Sequence, residues 1–108
     1  MREFTRANEL MVEQRISAGD KPDEPRTIQH FVYFSDRIKC SAAEAAFRVA
    51  GFQTSSIHRT LKSQVIVSHE GKISPVYMNL VCEDISSITD HYGGEYAGWD
   101  AEIIRLAG

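Results

Sequence analysis

Residues 27–34, Thr-Ile-Gln-His-Phe-Val-Tyr-Phe, most limit what this chain can fold into. β-Branched and aromatic side chains dominate the run, and these fit a pleated strand better than a helix, where they lose rotamer freedom. Side chains alternate across a strand, so Ile28, His30, Val32 and Phe34 share one face, and Gln29, Phe31 and Tyr33 share the other. Neither face is purely polar, which predicts a strand covered at least partly on both sides.

The flanking segments supply the rest of the fold. Residues 3–18 carry a weak helical stripe of Phe4, Ala7, Leu10 or Met11, and residues 14–18, with Gly19 placed as a stop. Asp20-Lys21-Pro22-Asp23-Glu24-Pro25 is a polar linker that two prolines keep out of a helix. Ser41-Ala42-Ala43-Glu44 reads as a capping box opening an Ala-rich helix. Ala43, Ala46, Phe47 and Val49 or Ala50 face inward there, and Gly51 ends it. Residues 52–58 and 64–70 read as a strand pair around 59–63, with Val65 and Val67 on one face. Ser74-Pro75 opens a last helix with Tyr77, Leu80, Val81, Ile85, Ile88 and Tyr92 at helical spacing, and Gly93-Gly94 ends it. Residues 96–106 form a final strand, with Ala97, Trp99, Ala101 and Ile103 on one parity and Tyr96, Asp100, Glu102 and Ile104 on the other.

The order after the first helix is βαββαβ. With right-handed crossovers it closes as an α+β, ferredoxin-like sandwich: a four-stranded antiparallel sheet with both helices on one face. The expected division is a packed N-terminal helix over residues 1–19 and a ferredoxin-like domain over 26–108. That helix is expected on the sheet's other face or at one edge, where removing residues 1–19 would expose an apolar surface.

Composition narrows the class. At 108 residues the chain is one domain, and 43% hydrophobic with 25% charged residues is ordinary globular content. Twelve basic against fifteen acidic residues, net −3, argue against nucleic-acid backbones as the main partner while leaving room for a local basic patch. Cys40 and Cys82 lie far apart without a C-x-x-C motif, and neither a signal-like start nor a membrane-length apolar run of about 18 residues occurs. A reduced, cytoplasmic protein is expected.

No catalytic site, metal or cofactor is expected. The histidines His30, His58, His69 and His91 sit in different elements and complete no metal-ligand spacing. His30 is either a tuned histidine or, as its parity favours, a core histidine bonded to a neighbour. Cys40 lies beside a predicted helix N-terminus, which would lower a thiol pKa, but no base accompanies it. Cys82 reads as packing. Asp100 and Glu102 share a predicted face with Tyr96, which suits an exposed sheet surface better than an acid–base pair. The 93–99 segment runs from helix into strand, opposite to a phosphate-binding loop.

Several of these features together resemble the family of ribonuclease E inhibitors called regulator of ribonuclease activity B. They are Gly19-Asp20, the first strand through Phe34, Gly51-Phe52 after the Ala-rich helix, and above all Gly94-Glu95-Tyr96-Ala97-Gly98-Trp99, in which Ala97 stands where the family commonly has Asp. The resemblance covers residues 16–105. It implies a ferredoxin-like domain with an added N-terminal helix that binds ribonuclease E and restrains RNA turnover without chemistry of its own. Asp20, His30, Phe34, Gly94, Glu95, Tyr96, Gly98 and Trp99 match the family pattern. Phe34 and Trp99 then fill the core, Gly94 and Gly98 permit tight backbone, and His30 is a structural position. Asp20, Phe31, Tyr33, Glu95, Tyr96, Asp100 and Glu102 are the candidate partner-binding residues. Direct nucleic-acid binding is not expected, because residues 64–70 offer no aromatic to stack a base, although the same element order serves single-stranded RNA binders and small-ligand modules.

Overall fold

A computed structural model describes residues 4–105 of the chain. The aromatic run becomes β1 (Arg26–Phe34), which pairs antiparallel with β3 (Ser63–Gly71) on one side and β4 (Glu95–Ala101) on the other. β2 (Gln53–His58) pairs antiparallel with β3, so the sheet order is β2-β3-β1-β4. Helices α2 (Arg37–Val49) and α3 (Pro75–His91) pack on the face bearing Ile28, Val32 and Phe34. The three helices, with α1 (Thr5–Ser17), and the four-stranded antiparallel sheet make an α+β fold in ferredoxin-like order. The expected helix start at Glu3 lies outside the described residues, and the last strand, expected to run to Leu106, already ends at Ala101.

Four local expectations are corrected. Asp36, not Ser41, caps α2: its carboxylate accepts from the N–H groups of Ile38 at 2.9 Å and Lys39 at 3.1 Å. A carboxylate suits the positive end of a helix, so the helix starts a turn earlier and Glu44 bonds Arg48 instead of closing a box. Val49 then points outward, 90% exposed. On α3, Ser74 precedes Pro75 as N-cap but its hydroxyl makes no capping bond. The buried arc of that helix is Met78, Val81, Cys82, Ile85, Ser86 and Thr89, with Leu80 outside, because α3 packs against both the sheet and α1. Of the two places expected for α1, the edge is the one observed: it sits beside α3 at the β4 edge, where Phe4 meets the Tyr96 ring edge-on at 5.5 Å and Phe4, Ala7 and Met11 share a cleft with Phe31.

The strict parity expected for the last strand also fails, for a specific reason. β4 has a bulge: Tyr96 pairs with Val32 and Gly98 with Phe31, leaving Ala97 as an extra residue. Gly98 takes φ +129°, a conformation that side chains rarely adopt. Tyr96 and Trp99, three apart, therefore both face the helices, and both are 7% exposed.

Gly94 is needed for space. Its N–H bonds the Thr89 carbonyl at 2.9 Å as α3 ends, and a Cβ there would overlap the buried Phe34 ring. Gly94→Ala is expected to lower stability by about 2 kcal/mol, as overpacked cores do. Adding Phe34→Leu should make the two losses less than additive in urea denaturation; full additivity would mean that the ring is not what excludes the methyl group.

Candidate functional site

The inward parity of β1 buries His30 completely, and β3 carries His69 on the same side as Val65 and Val67. Their Nε2 atoms lie 2.9 Å apart with the rings stacked at 5.0 Å. His30 Nδ1 is 2.8 Å from the Tyr96 hydroxyl, and His69 Nδ1 is 3.1 Å from the Tyr77 hydroxyl. Tyr96 in turn lies 3.4 Å from Cys82 Sγ. A neutral imidazole has one donor and one acceptor nitrogen, so these contacts form one directional chain. If Tyr96 donates to His30, His30 donates to His69 and His69 to Tyr77; reversing one bond reverses them all. Asn8 extends the chain into α1: its Nδ2 donates to Asn79 Oδ1 at 2.7 Å and to Cys82 Sγ at 3.8 Å, and its Oδ1 accepts from Trp99 Nε1 at 2.9 Å.

The cluster is uncharged at neutral pH. Burial, reinforced by the neighbouring His69, pushes His30 down to about 3. Burial also lowers His69, opposed by a backbone bond and the charge of Glu70. The Cys82 thiol and the Tyr77 phenol are pushed up by burial. No reactive atom of His30 or Cys82 reaches the surface, since both residues have 0% exposure. As built, His30 is a core histidine with both ring nitrogens engaged.

Asp20, expected at a contact surface, is also buried. Its Oδ2 accepts from Arg26 at 2.7 Å, and both side chains are 0% exposed. The Arg26 guanidinium also donates to the carbonyls of Lys21 at 2.7 Å, Glu102 at 2.9 Å and Glu24 at 3.2 Å. Burial pushes the Asp20 carboxyl up, but the bond and charge of Arg26, with the Ile104 N–H, hold it below its ordinary value. This pair ties the linker and the start of β1 to the chain beyond β4.

The other candidates gather on the sheet face that no helix covers. Phe31 and Tyr33 are half-buried on β1, with Ile66 and Gln64 as their β3 partners. The bulge puts Glu95 opposite Tyr33 and Asp100 opposite Gln29 on that same face, and exposed Glu102 shares a shallow cleft with Asp100 just past β4. Tyr96 is removed from this group, and Asp100 is held by Arg15 at 2.8 Å. Sequence reading missed His69, Tyr77, Asn8 and Arg26. His69 left a signal, continuing the Val65–Val67 parity, and so did Arg26, a cation at the first position of β1.

The remaining reactive groups do not converge. Cys40 lies within α2, buried, and burial together with Glu44 raises its thiol pKa instead of activating it. His58 bonds Ser63 at 2.7 Å and His91 contacts Tyr92. Among the described residues no group of three His, Cys, Asp or Glu side chains is placed to hold a metal ion, and no helix is long and apolar enough to cross a membrane.

Two outcomes are expected for the buried groups. His30 binds a proton in the unfolded chain below pH about 6.5 but in the fold only near 3, so its stabilising contribution is complete above 6.5 and is lost as pH falls through that window. Urea midpoints should fall steadily from pH 6.5 to 4. His30→Gln should flatten that slope by up to one proton, about 1.4 kcal/mol per pH unit, and an unchanged slope would place the titration elsewhere. Separately, Asp20→Ala strands a buried guanidinium and should cost about 3–5 kcal/mol, whereas D20A/R26M should recover much of it. A loss under about 1 kcal/mol for Asp20→Ala would show that the pair is solvated.

The family model described as regulator of ribonuclease activity B matches residues 5–101. A search of curated proteins gives no match to this chain.

Proposed function

The chain belongs to the regulator of ribonuclease activity B family, a family of regulators and not of catalysts, and from that premise we propose that it binds ribonuclease E in the cytoplasm and restrains it by occlusion. The observation that carries this reading is the uncovered sheet face. Phe31 and its register partner Ile66 lie half-buried there beside Tyr33, on the face opposite α2 and α3, with Phe31 bordering a cleft that α1 also lines. Aromatic anchors within a polar rim are the usual make-up of a protein interface, and Glu95, Asp100 and Glu102 supply an acidic rim for basic segments of a partner. Chemistry is disfavoured because His30 and Cys82 are wholly buried and closed to any substrate. Base stacking across two strands is disfavoured too. Tyr33 has Lys62 Nζ 5.1 Å from its ring centre and Glu95 opposite, and its β3 partner is a glutamine.

Calorimetric titration against the purified C-terminal regulatory part of ribonuclease E tests both halves of the proposal. Phe31→Ala and Ile66→Asp are each expected to weaken binding about tenfold or more, the effect of losing roughly 1.4 kcal/mol. Val76→Ala, on exposed α3 surface, should not. No binding by the unaltered chain would remove the named ribonuclease. Binding indifferent to both changes would move the interface off this face.

A further inference from the structure

The net charge of −3 conceals one local reversal. The β2–β3 hairpin closes with the Arg59 N–H on the Lys62 carbonyl at 3.0 Å. Its tip and the loop from β1 to α2 together enclose a cleft of about 510 Å³. Arg37, Arg59 and Lys62 line it with the hydroxyls of Ser35 and Thr60, and no carboxylate does. Asp36, next to Arg37, has already turned back to cap α2.

Three other arginines, Arg15, Arg26 and Arg48, each meet a carboxylate within 3.0 Å, while Arg6 lies 3.9 Å from Glu9 and Arg105 donates to the Ala18 carbonyl. Among the described residues Arg37, Arg59 and Lys62 have no ion-pair partner, although they share one cleft. Like charges so placed repel one another unless an anion joins them.

We infer that this cleft binds a terminal phosphate monoester, carried by a free nucleotide or by the end of an RNA. A single carboxylate brings one charge and would leave two of the three cations unbalanced. A phosphate monoester brings a charge of about −1.5 to −2 and three acceptor oxygens. Arginine forks, a lysine ammonium and two hydroxyls suit that many acceptors. The site goes beyond the proposed ribonuclease contact. It sits at the hairpin end of the sheet and stands or falls without it.

The test is an ¹⁵N-labelled titration of the full chain at low ionic strength, with sodium chloride as the matched control. Inorganic phosphate and adenosine monophosphate should give saturable shifts confined to residues 35–37 and 58–63, with dissociation constants of about 1 mM or tighter. R37A/R59A should weaken both about tenfold or more while leaving the thermal midpoint unchanged. A 5′-phosphorylated oligonucleotide binding more tightly than the mononucleotide assigns the site to RNA ends, and equal binding assigns it to free nucleotides. The inference is overturned if chloride reproduces the shifts, if R37A/R59A binds as well as the unaltered chain, or if a 5′-hydroxyl oligonucleotide or hexaglutamate peptide matches the phosphorylated probes.

Discussion

Ala97 is the extra residue of a bulge opposite the Phe31–Val32 step of β1, and Gly98 supplies the positive φ that the bulge requires. With regular alternation, Tyr96 and Trp99 would lie on opposite faces of the sheet, and only one of them would meet the helices. The bulge brings both inward. Tyr96 then reaches His30 and Cys82, and Trp99 reaches Asn8. The docking of α1 follows from this. The buried residues of that helix are Asn8 and Val12, too little apolar surface to fix its position by burial alone. Directional bonds from Asn8 to Trp99 and Asn79, with Arg15 on the Ala101 carbonyl at 2.6 Å, do what a hydrophobic stripe does elsewhere.

The same bulge explains why so much polar chemistry is tolerated inside. Two imidazoles, a thiol, two amides, two phenols and an indole N–H satisfy one another, and no buried side-chain nitrogen or oxygen among the described residues lacks a partner. Burying such groups unpaired would cost about 1–3 kcal/mol each, so the network is favourable only when complete. Only one proton fits between the two Nε2 atoms, so the histidines cannot both be charged, and burial lowers the pKa of each. Acid is therefore the condition under which core and sheet register come into conflict.

Much of the fold was legible from periodicity: alternation in residues 27–34 reports which side is buried, and helical spacing in 75–92 locates the helix, though not its full buried arc. The family pattern was legible because glycines and aromatics at fixed spacing are needed for the bulge and for the Phe34 contact with Gly94. Partnerships across the sheet were not. His30 read as inward, but its meeting with His69 depends on the β1–β3 register, which the hairpin and crossover set and parity does not. Asp20 and Arg26 are only six residues apart, yet Asp20 looked like one acid among three in a solvated linker. Arg26 is what separates it from Asp23 and Glu24: an arginine at the first position of a buried strand must find a carboxylate nearby.

The two sides of the sheet divide the work in opposite ways. On the helix side, polar groups are closed into bonds that hold the layers in register. On the uncovered side, apolar groups stay half-open and charge is graded along the strands. Glu70, Asp100 and Glu102 lie toward the start of β1, whereas toward its end Lys62 and the Arg37–Arg59 cleft stand near a single acid of this face, Glu95 opposite Tyr33. The face is thus more acidic at one end than at the other, with Phe31 and Ile66 between. A partner seated on such a gradient gains from one orientation and loses from the reverse, so charge sets direction while the apolar centre supplies adhesion. On the proposed reading, a rigid face held from behind by a fully satisfied core presents that gradient without rearranging, and the contact with a ribonuclease needs no catalytic residue to act.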